Sequence, residues 1–111
     1  MSIRVGCDVS AISRMKDLMS QPDVIHKIFH QSESTRFEAV HLAKIFTLKE
    51  AAFKALGLKS NSWLLIEVTF APDRKPQLHL SPDLGLSSNT SLACSTSHDG
   101  DLAFGVVVVA E

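Results

Sequence analysis

The sequence predicts an α+β fold in which a small antiparallel sheet packs on one long helix, with short helices near the N-terminus. Three observations predict it: a strand-like alternation at the start of the chain, one uninterrupted helical stretch in the middle, and four β-rich runs after it. The 111 residues fit one domain spanning 1–111, since domains commonly run from ~50 to ~250 residues. No internal repeat is visible.

Residues Ile3 to Val9 alternate, with Ile3, Val5, Cys7 and Val9 on one face and Arg4, Gly6 and Asp8 on the other, so Asp8 falls near a strand end. Ser10 is placed to cap a short helix through Ile12, Met15, Leu18 and Met19, and Pro22 to open a second through Ile25, Ile28 and Phe29. From about Ser34 to Leu56 neither Pro nor Gly occurs and helix formers dominate; Gly57 is the stop. Trp63 to Ala71 and Gln77 to Leu80 read as a hairpin around Pro72, Asp73, Arg74, Lys75 and Pro76. Ser81 to Thr90 is a Ser, Pro, Gly and Asn-rich loop. Two last strands, Ser91 to Ser97 and Leu102 to Val109, turn through His98, Asp99, Gly100 and Asp101.

Composition narrows the function classes. Hydrophobic residues make up 45% of the chain, enough to fold around a core, and the net charge of −1 offers no global field for nucleic acid. Val106 to Ala110 is far shorter than the ~20 apolar residues of a membrane span, and the start of the chain does not read as a signal peptide. The two cysteines, Cys7 and Cys94, have no metal-ligand spacing and read as core thiols of a reduced, cytoplasmic protein.

Several residues are candidates for chemistry. On the long helix, Glu50 and Lys54 share a narrow face with the small residues Ala39, Ala43, Thr47 and Ala51, open to a metal or phosphate. A Glu followed four residues later by Lys is also the favoured helix ion pair, worth about 0.2–0.5 kcal/mol, and periodicity alone favours that reading. Asp8, at the end of an apolar strand, suits either a metal or a helix cap. His98 suits a phosphate contact, proton transfer or a hydrogen-bonded turn. His26 and His30 have helical metal-pair spacing without a third ligand, and read as exposed histidines. Ser95 and Ser97 lack the glycines of a nucleophile elbow.

Four stretches in order, GCDVSAISR (Gly6 to Arg14), FTLKEAAFKALG (Phe46 to Gly57), KPQLHL (Lys75 to Leu80) and STSH (Ser95 to His98), resemble the holo-acyl-carrier-protein synthase family of 4′-phosphopantetheinyl transferases. The resemblance spans nearly the whole chain. It implies a site where magnesium bridges protein carboxylates, here Asp8 and Glu50, to the pyrophosphate of coenzyme A, an ion that takes one or two carboxylates plus substrate phosphates. A carrier serine attacks the β-phosphate and 3′,5′-ADP leaves; Glu50 or a water held by the metal takes the proton. Lys54 matches the second lysine of the family motif, set to offset pyrophosphate charge, and Lys49 matches the first, which the resemblance makes a further contact to coenzyme A. His98 matches a histidine near the nucleotide phosphates. The resemblance also implies a homotrimer with coenzyme A between subunits, and an acidic carrier protein meeting Arg14, with Lys16 and Lys27 available to the same patch; each of the three also reads as an ordinary exposed base.

The chain departs from the family pattern at several points. Ile45 stands where the family usually has Arg, which removes one expected phosphate contact; Gly57, Leu58, Lys59 and Ser60 replace a glycine-rich continuation, and Lys59 is a substitute positive charge. Ala11 stands where an acidic residue is common, and Ser81 to Thr90 replaces a helix. Two readings of different classes follow: an active transferase, favoured by Asp8, Glu50, Lys54 and His98 together, and a catalytically silent relative that binds coenzyme A or a carrier, favoured by Ile45 and the missing glycines. An unrelated metal-dependent hydrolase would need a water-activating cluster that the sequence does not contain.

Overall fold

The structure is a computed structural model that describes residues 1–59 and 61–111; Ser60 lies outside the described residues. The elements run β1 (Ile3–Ala11), α1 (Ile12–Leu18), α2 (Pro22–Ile28), α3 (Gln31–Ser34), α4 (Ala39–Leu56), β2 (Ile66–Phe70), β3 (Pro76–Leu80), β4 (Ser91–Asp99) and β5 (Leu102–Ala110). Short 3₁₀ turns occupy Trp63–Leu65 and Pro82–Leu84. The α+β class is as predicted, but the strands divide into two sheets, an antiparallel trio in the order β1-β5-β4 and the separate hairpin β2-β3.

α4 lies across one face of the trio. Its buried residues Leu42, Ile45, Leu48 and Phe53 meet Ile66 and Val68 of the hairpin and Val107 and Val109 of β5 in one core, each large aliphatic contributing about 1.5–3 kcal/mol on burial. Gly57 ends the helix in the left-handed region, φ 68°, its N–H bonded to Phe53 O. The helical stretch does not reach back to Ser34: Thr35 to Glu38 separate α3 from α4.

Two glycines let the helix backbone touch the sheet. A Cβ on Gly6 would sit 2.1 Å from Ala51 O, and one on Gly105 2.9 Å from Leu48 N. The consequence inverts the expected orientation of β1. Its Gly6 and Asp8 face lies toward the helix, while Ile3, Val5 and Val9 are 68%, 65% and 55% exposed and Cys7 is also exposed. Cys7 is therefore not a core residue; Cys94 is half-buried, and both are free thiols. Leu102, Phe104 and Val108 of β5 continue the exposed apolar face.

Ser10 does not cap α1. Asp101, in the turn between β4 and β5, does so: its carboxylate accepts from Ser13 N–H at 2.9 Å and from Ser13 Oγ at 2.7 Å, and its carbonyl accepts from Ile12 N–H. That relieves Asp8 of the capping role. Among the described residues no helix is long and apolar enough to cross a membrane.

Candidate active site

β1 carries Asp8 to the flank of α4, where Glu50 and Lys54 project one turn apart. Lys54 Nζ donates to Cys7 O at 2.9 Å and to Asp8 Oδ1 at 3.3 Å. The Asp8 side chain is 18% exposed and Lys54 55%, so the carboxylate is largely shielded from water while the ammonium remains wet. Among the described residues Lys54 pairs with Asp8 rather than with Glu50, so the simple helix ion pair is not what forms. Glu50 is half-buried; burial, and then the negative charge of Asp8, raise its pKa above the ordinary carboxylate range, with Lys54 opposing. Two carboxylates thus share one small space with a single ammonium, a site whose excess negative charge a cation or proton would relieve.

Lys49 is somewhere else altogether. The first lysine of the motif is fully buried, with Nζ donating to Ile28 O at 2.7 Å, Glu33 Oε1 at 2.7 Å and Trp63 O at 3.1 Å. All three ammonium hydrogens are used inside the protein, which corrects its expected contact with coenzyme A. Burial lowers its pKa and Glu33 raises it back in part. The helix shows why: Lys49 lies four residues from both Ile45 and Phe53, on the buried side of α4.

His98 lies on β4 at the edge of a cavity of about 340 Å³. Arg36, Lys44 and Arg74 also line it, and His41 and Phe70 form an aromatic wall with ring centroids 5.3 Å apart. The first three were not singled out in the sequence. Arg74 is the one with a local signal, because it sits in the Pro72 to Pro76 turn, where it takes a left-handed φ of 69° rare for a non-glycine residue. Burial first, and Arg36 next, lower the pKa of His41 below the ordinary histidine value. Ile45, in the helix position after Lys44, is fully buried in the core, and a cation next to it at Lys44 faces the cavity instead.

Asp8 and His98 do not meet in one chain. Gly105 of β5 lies directly under α4; Asp8 pairs with it from β1 on one side and Thr96 from β4 on the other. Asp8 and Thr96 are thus two strand spacings apart, about 10 Å at Cα, with the helix over the strand between them. His98 is two residues beyond Thr96, so the carboxylates and the basic cavity occupy opposite flanks of α4.

Arg14, Lys16 and Lys27 are all exposed, on α1 and α2. His26 and His30 do not share a helix: His26 is exposed on α2, whereas His30 precedes α3, half-buried, with its N–H bonded to Glu33 Oε1 at 2.7 Å. Lys59 is exposed and does not line the basic cavity.

Residues 4–107 match the family model of the 4′-phosphopantetheinyl transferase superfamily. The chain belongs to that superfamily. It is similar to a holo-[acyl-carrier-protein] synthase of Campylobacter jejuni, 32% identical over 114 aligned positions covering 96% of this chain and 99% of the relative. A synthase of the same name from Protochlamydia amoebophila is 30% identical, covering 88% and 89%. Among solved structures, a holo-[acyl-carrier-protein] synthase of Helicobacter pylori in complex with coenzyme A superposes with a TM-score of 0.85 at 29% identity, covering 96% and 99%. The chain is accordingly a transferase by family, and the superfamily resemblance read from its four motifs holds.

Proposed function

We propose that this transferase moves the 4′-phosphopantetheine group of coenzyme A to a serine of an apo acyl or peptidyl carrier protein, with magnesium, releasing 3′,5′-ADP. The observation that carries the reading is the convergence of Asp8, Glu50 and Lys54 from β1 and α4 in a family of phosphopantetheinyl transferases. The relatives named above support the carrier as acceptor, and the coenzyme A bound to the Helicobacter pylori structure supports the donor.

The donor set suits magnesium. Among the described residues no group of three or more His, Cys, Asp or Glu side chains gathers as a metal cage; magnesium needs none, since it is held by one or two carboxylates and completes its shell with water and substrate phosphates. Held by Asp8 and Glu50, the ion would neutralise charge on the pyrophosphate. The carrier serine oxygen forms a bond to the β-phosphorus, the bond from that phosphorus to the bridging oxygen breaks, and 3′,5′-ADP leaves with the electron pair. Glu50 is the protein group that would take the serine proton, directly or through a water. Lys54 offsets charge developing on the leaving pyrophosphate oxygens. His98, with Arg36, Lys44 and Arg74, receives the phosphates of the nucleotide.

Two features support an assembly of subunits, for which the family resemblance implies a homotrimer. The apolar face formed by Ile3, Val5, Val9, Leu102, Phe104 and Val108 needs cover, and the separation of Asp8 from His98 leaves each site to be completed by a neighbouring subunit. Exposed Arg14, Lys16 and Lys27 form the docking patch for an acidic carrier. Two free thiols favour the reducing cytoplasm. The deciding experiment incubates the protein with coenzyme A, magnesium and an apo carrier protein and follows carrier mass. Gain of one phosphopantetheinyl group, lost with Glu50→Ala, is expected; a folded protein that modifies no carrier would leave the silent binding module.

A further inference from the structure

The most enclosed charges in the molecule belong to neither flank of α4. Lys49 and Glu33 are buried against each other at 2.7 Å, and their other hydrogen bonds go to backbone, of α3's own N-cap and of three other segments. Lys49 also holds Ile28 O at the end of α2 and Trp63 O in the turn before β2. Glu33 Oε1 accepts from His30 N–H, and Glu33 Oε2 accepts from Val68 N–H at 2.7 Å, in the middle of β2. One ion pair therefore ties α4 to α2, α3 and the β2-β3 hairpin.

That tie falls where the fold is weakest. The hairpin has no strand partner in the three-stranded sheet, and a lone two-stranded ribbon is marginal in water. Its placement depends on side chains, and Glu33 grips the β2 edge that β3 leaves free. Val68 and Phe70 are two residues apart and so project to the same face. Fixing Val68 on Glu33 brings Phe70 against His41 of α4, and beyond the strand end Arg74 and Pro76 complete the cavity wall.

We propose that Lys49, acting through Glu33, is a positioning residue that sets the β2-β3 hairpin against α4 and so fixes the nucleotide-facing wall of the basic cavity. The proposal rests on the reading of the chain as a coenzyme A-dependent transferase. It assigns the first lysine of the motif to donor binding at a distance, without contact with substrate. Replacing Lys49 alone leaves the Glu33 charge buried, so the informative variants remove both charges.

The full chain is compared with two double variants, Lys49→Met with Glu33→Leu and Lys49→Met with Glu33→Gln; the glutamine oxygen still accepts from Val68 N–H. Kinetics are measured with coenzyme A and apo carrier varied separately. The Leu variant is expected to raise KM for coenzyme A about tenfold or more while leaving KM for the carrier unchanged, and the Gln variant to recover part of that loss. A folded Leu variant with wild-type KM for coenzyme A overturns the proposal. If neither double variant folds, amide exchange in the wild-type protein decides: β2 and β3 amides slowing together when coenzyme A is added supports it, and unchanged exchange there overturns it. Wild-type protein that binds no coenzyme A removes the functional reading first and this proposal with it, a result distinct from a change confined to the variants.

Discussion

Lys54 reaches back from α4 to Asp8 of β1, at 3.3 Å, and passes over Glu50 on its own helix one turn earlier. The arrangement leaves Glu50 half-buried beside a second carboxylate with its cation shared. Everything expected of the site follows from that imbalance: it is a place where negative charge is crowded by the fold and a divalent ion or a proton is welcome.

Removing either carboxylate is therefore expected to abolish most transfer with little cost to folding. Asp8→Asn and Glu50→Gln should each lower kcat by about 10²-fold or more. The Lys54 to Asp8 pair is partly exposed, so its loss should change stability by only about 0–1 kcal/mol. Transfer rates beside thermal melts check this, and an active Asp8→Asn enzyme would end the metal assignment.

The metal should be felt more strongly as pH rises. Burial first, and Asp8 second, raise the Glu50 pKa in the folded protein. Folding thus favours the protonated form, and metal-free stability falls as pH climbs from the ordinary carboxylate value through the raised one. On the proposed reading magnesium would bind the ionised form and recover that loss. The melting-temperature gain on adding magnesium should be small near the ordinary carboxylate value and grow as pH rises above it. Asp8→Asn removes one raising cause, so Glu50 in that variant should ionise at lower pH.

Gly6→Ala tests the close approach that brings Asp8 to Glu50. The new Cβ would lie 2.1 Å from Ala51 O and 2.7 Å from Ala55 N, both backbone atoms that cannot swing aside. Loss of about 1–3 kcal/mol or more is expected from the overpacking, together with weaker magnesium binding as β1 moves off the helix. Denaturant melts and magnesium titration measure the two effects, and unchanged values for both would argue that β1 and α4 are not so tightly apposed.

The same glycine explains what the sequence could and could not disclose. Local chemistry made most elements legible: Pro22 and Gly57 bound their helices, and the Pro72 to Pro76 turn marked its hairpin. The orientation of β1 was not legible, because an apolar face on a strand reads as core until Gly6 is known to lie against a helix backbone. Lys49 was legible in hindsight of a specific kind: it interrupts the apolar stripe of Leu42, Ile45, Phe53 and Leu56, which is the position of a buried, paired lysine and not of a phosphate ligand. Its partner Glu33 lies on a four-residue helix whose separation from α4 no Pro or Gly announces. The basic cavity escaped because Arg36, Lys44, Arg74 and His98 come together only through tertiary packing.

Arg14→Glu should discriminate between the two substrates. Arg14 is exposed on α1, away from the basic cavity. Reversing its charge opposite an acidic carrier should raise KM for the carrier several-fold while leaving KM for coenzyme A near wild type, and added salt should narrow the difference. Equal changes in both constants would move the docking face elsewhere.

The separation of Asp8 from His98 across α4 gives the sharpest test of a shared site. Glu50→Ala and His98→Ala are each expected to be poorly active alone, one for want of a carboxylate, the other for want of a phosphate contact. If a site takes Asp8 and Glu50 from one subunit and His98 from its neighbour, unfolding and refolding the two variants together should restore activity, with about a quarter of sites intact under random assembly. A site complete within one chain would give no rescue. Val5→Lys should abolish the rescue too, because it puts a charge on the apolar face that β1 and β5 expose. Light scattering of that variant should report a smaller particle, and a Val5→Lys protein of unchanged size would place the subunit contact on another surface.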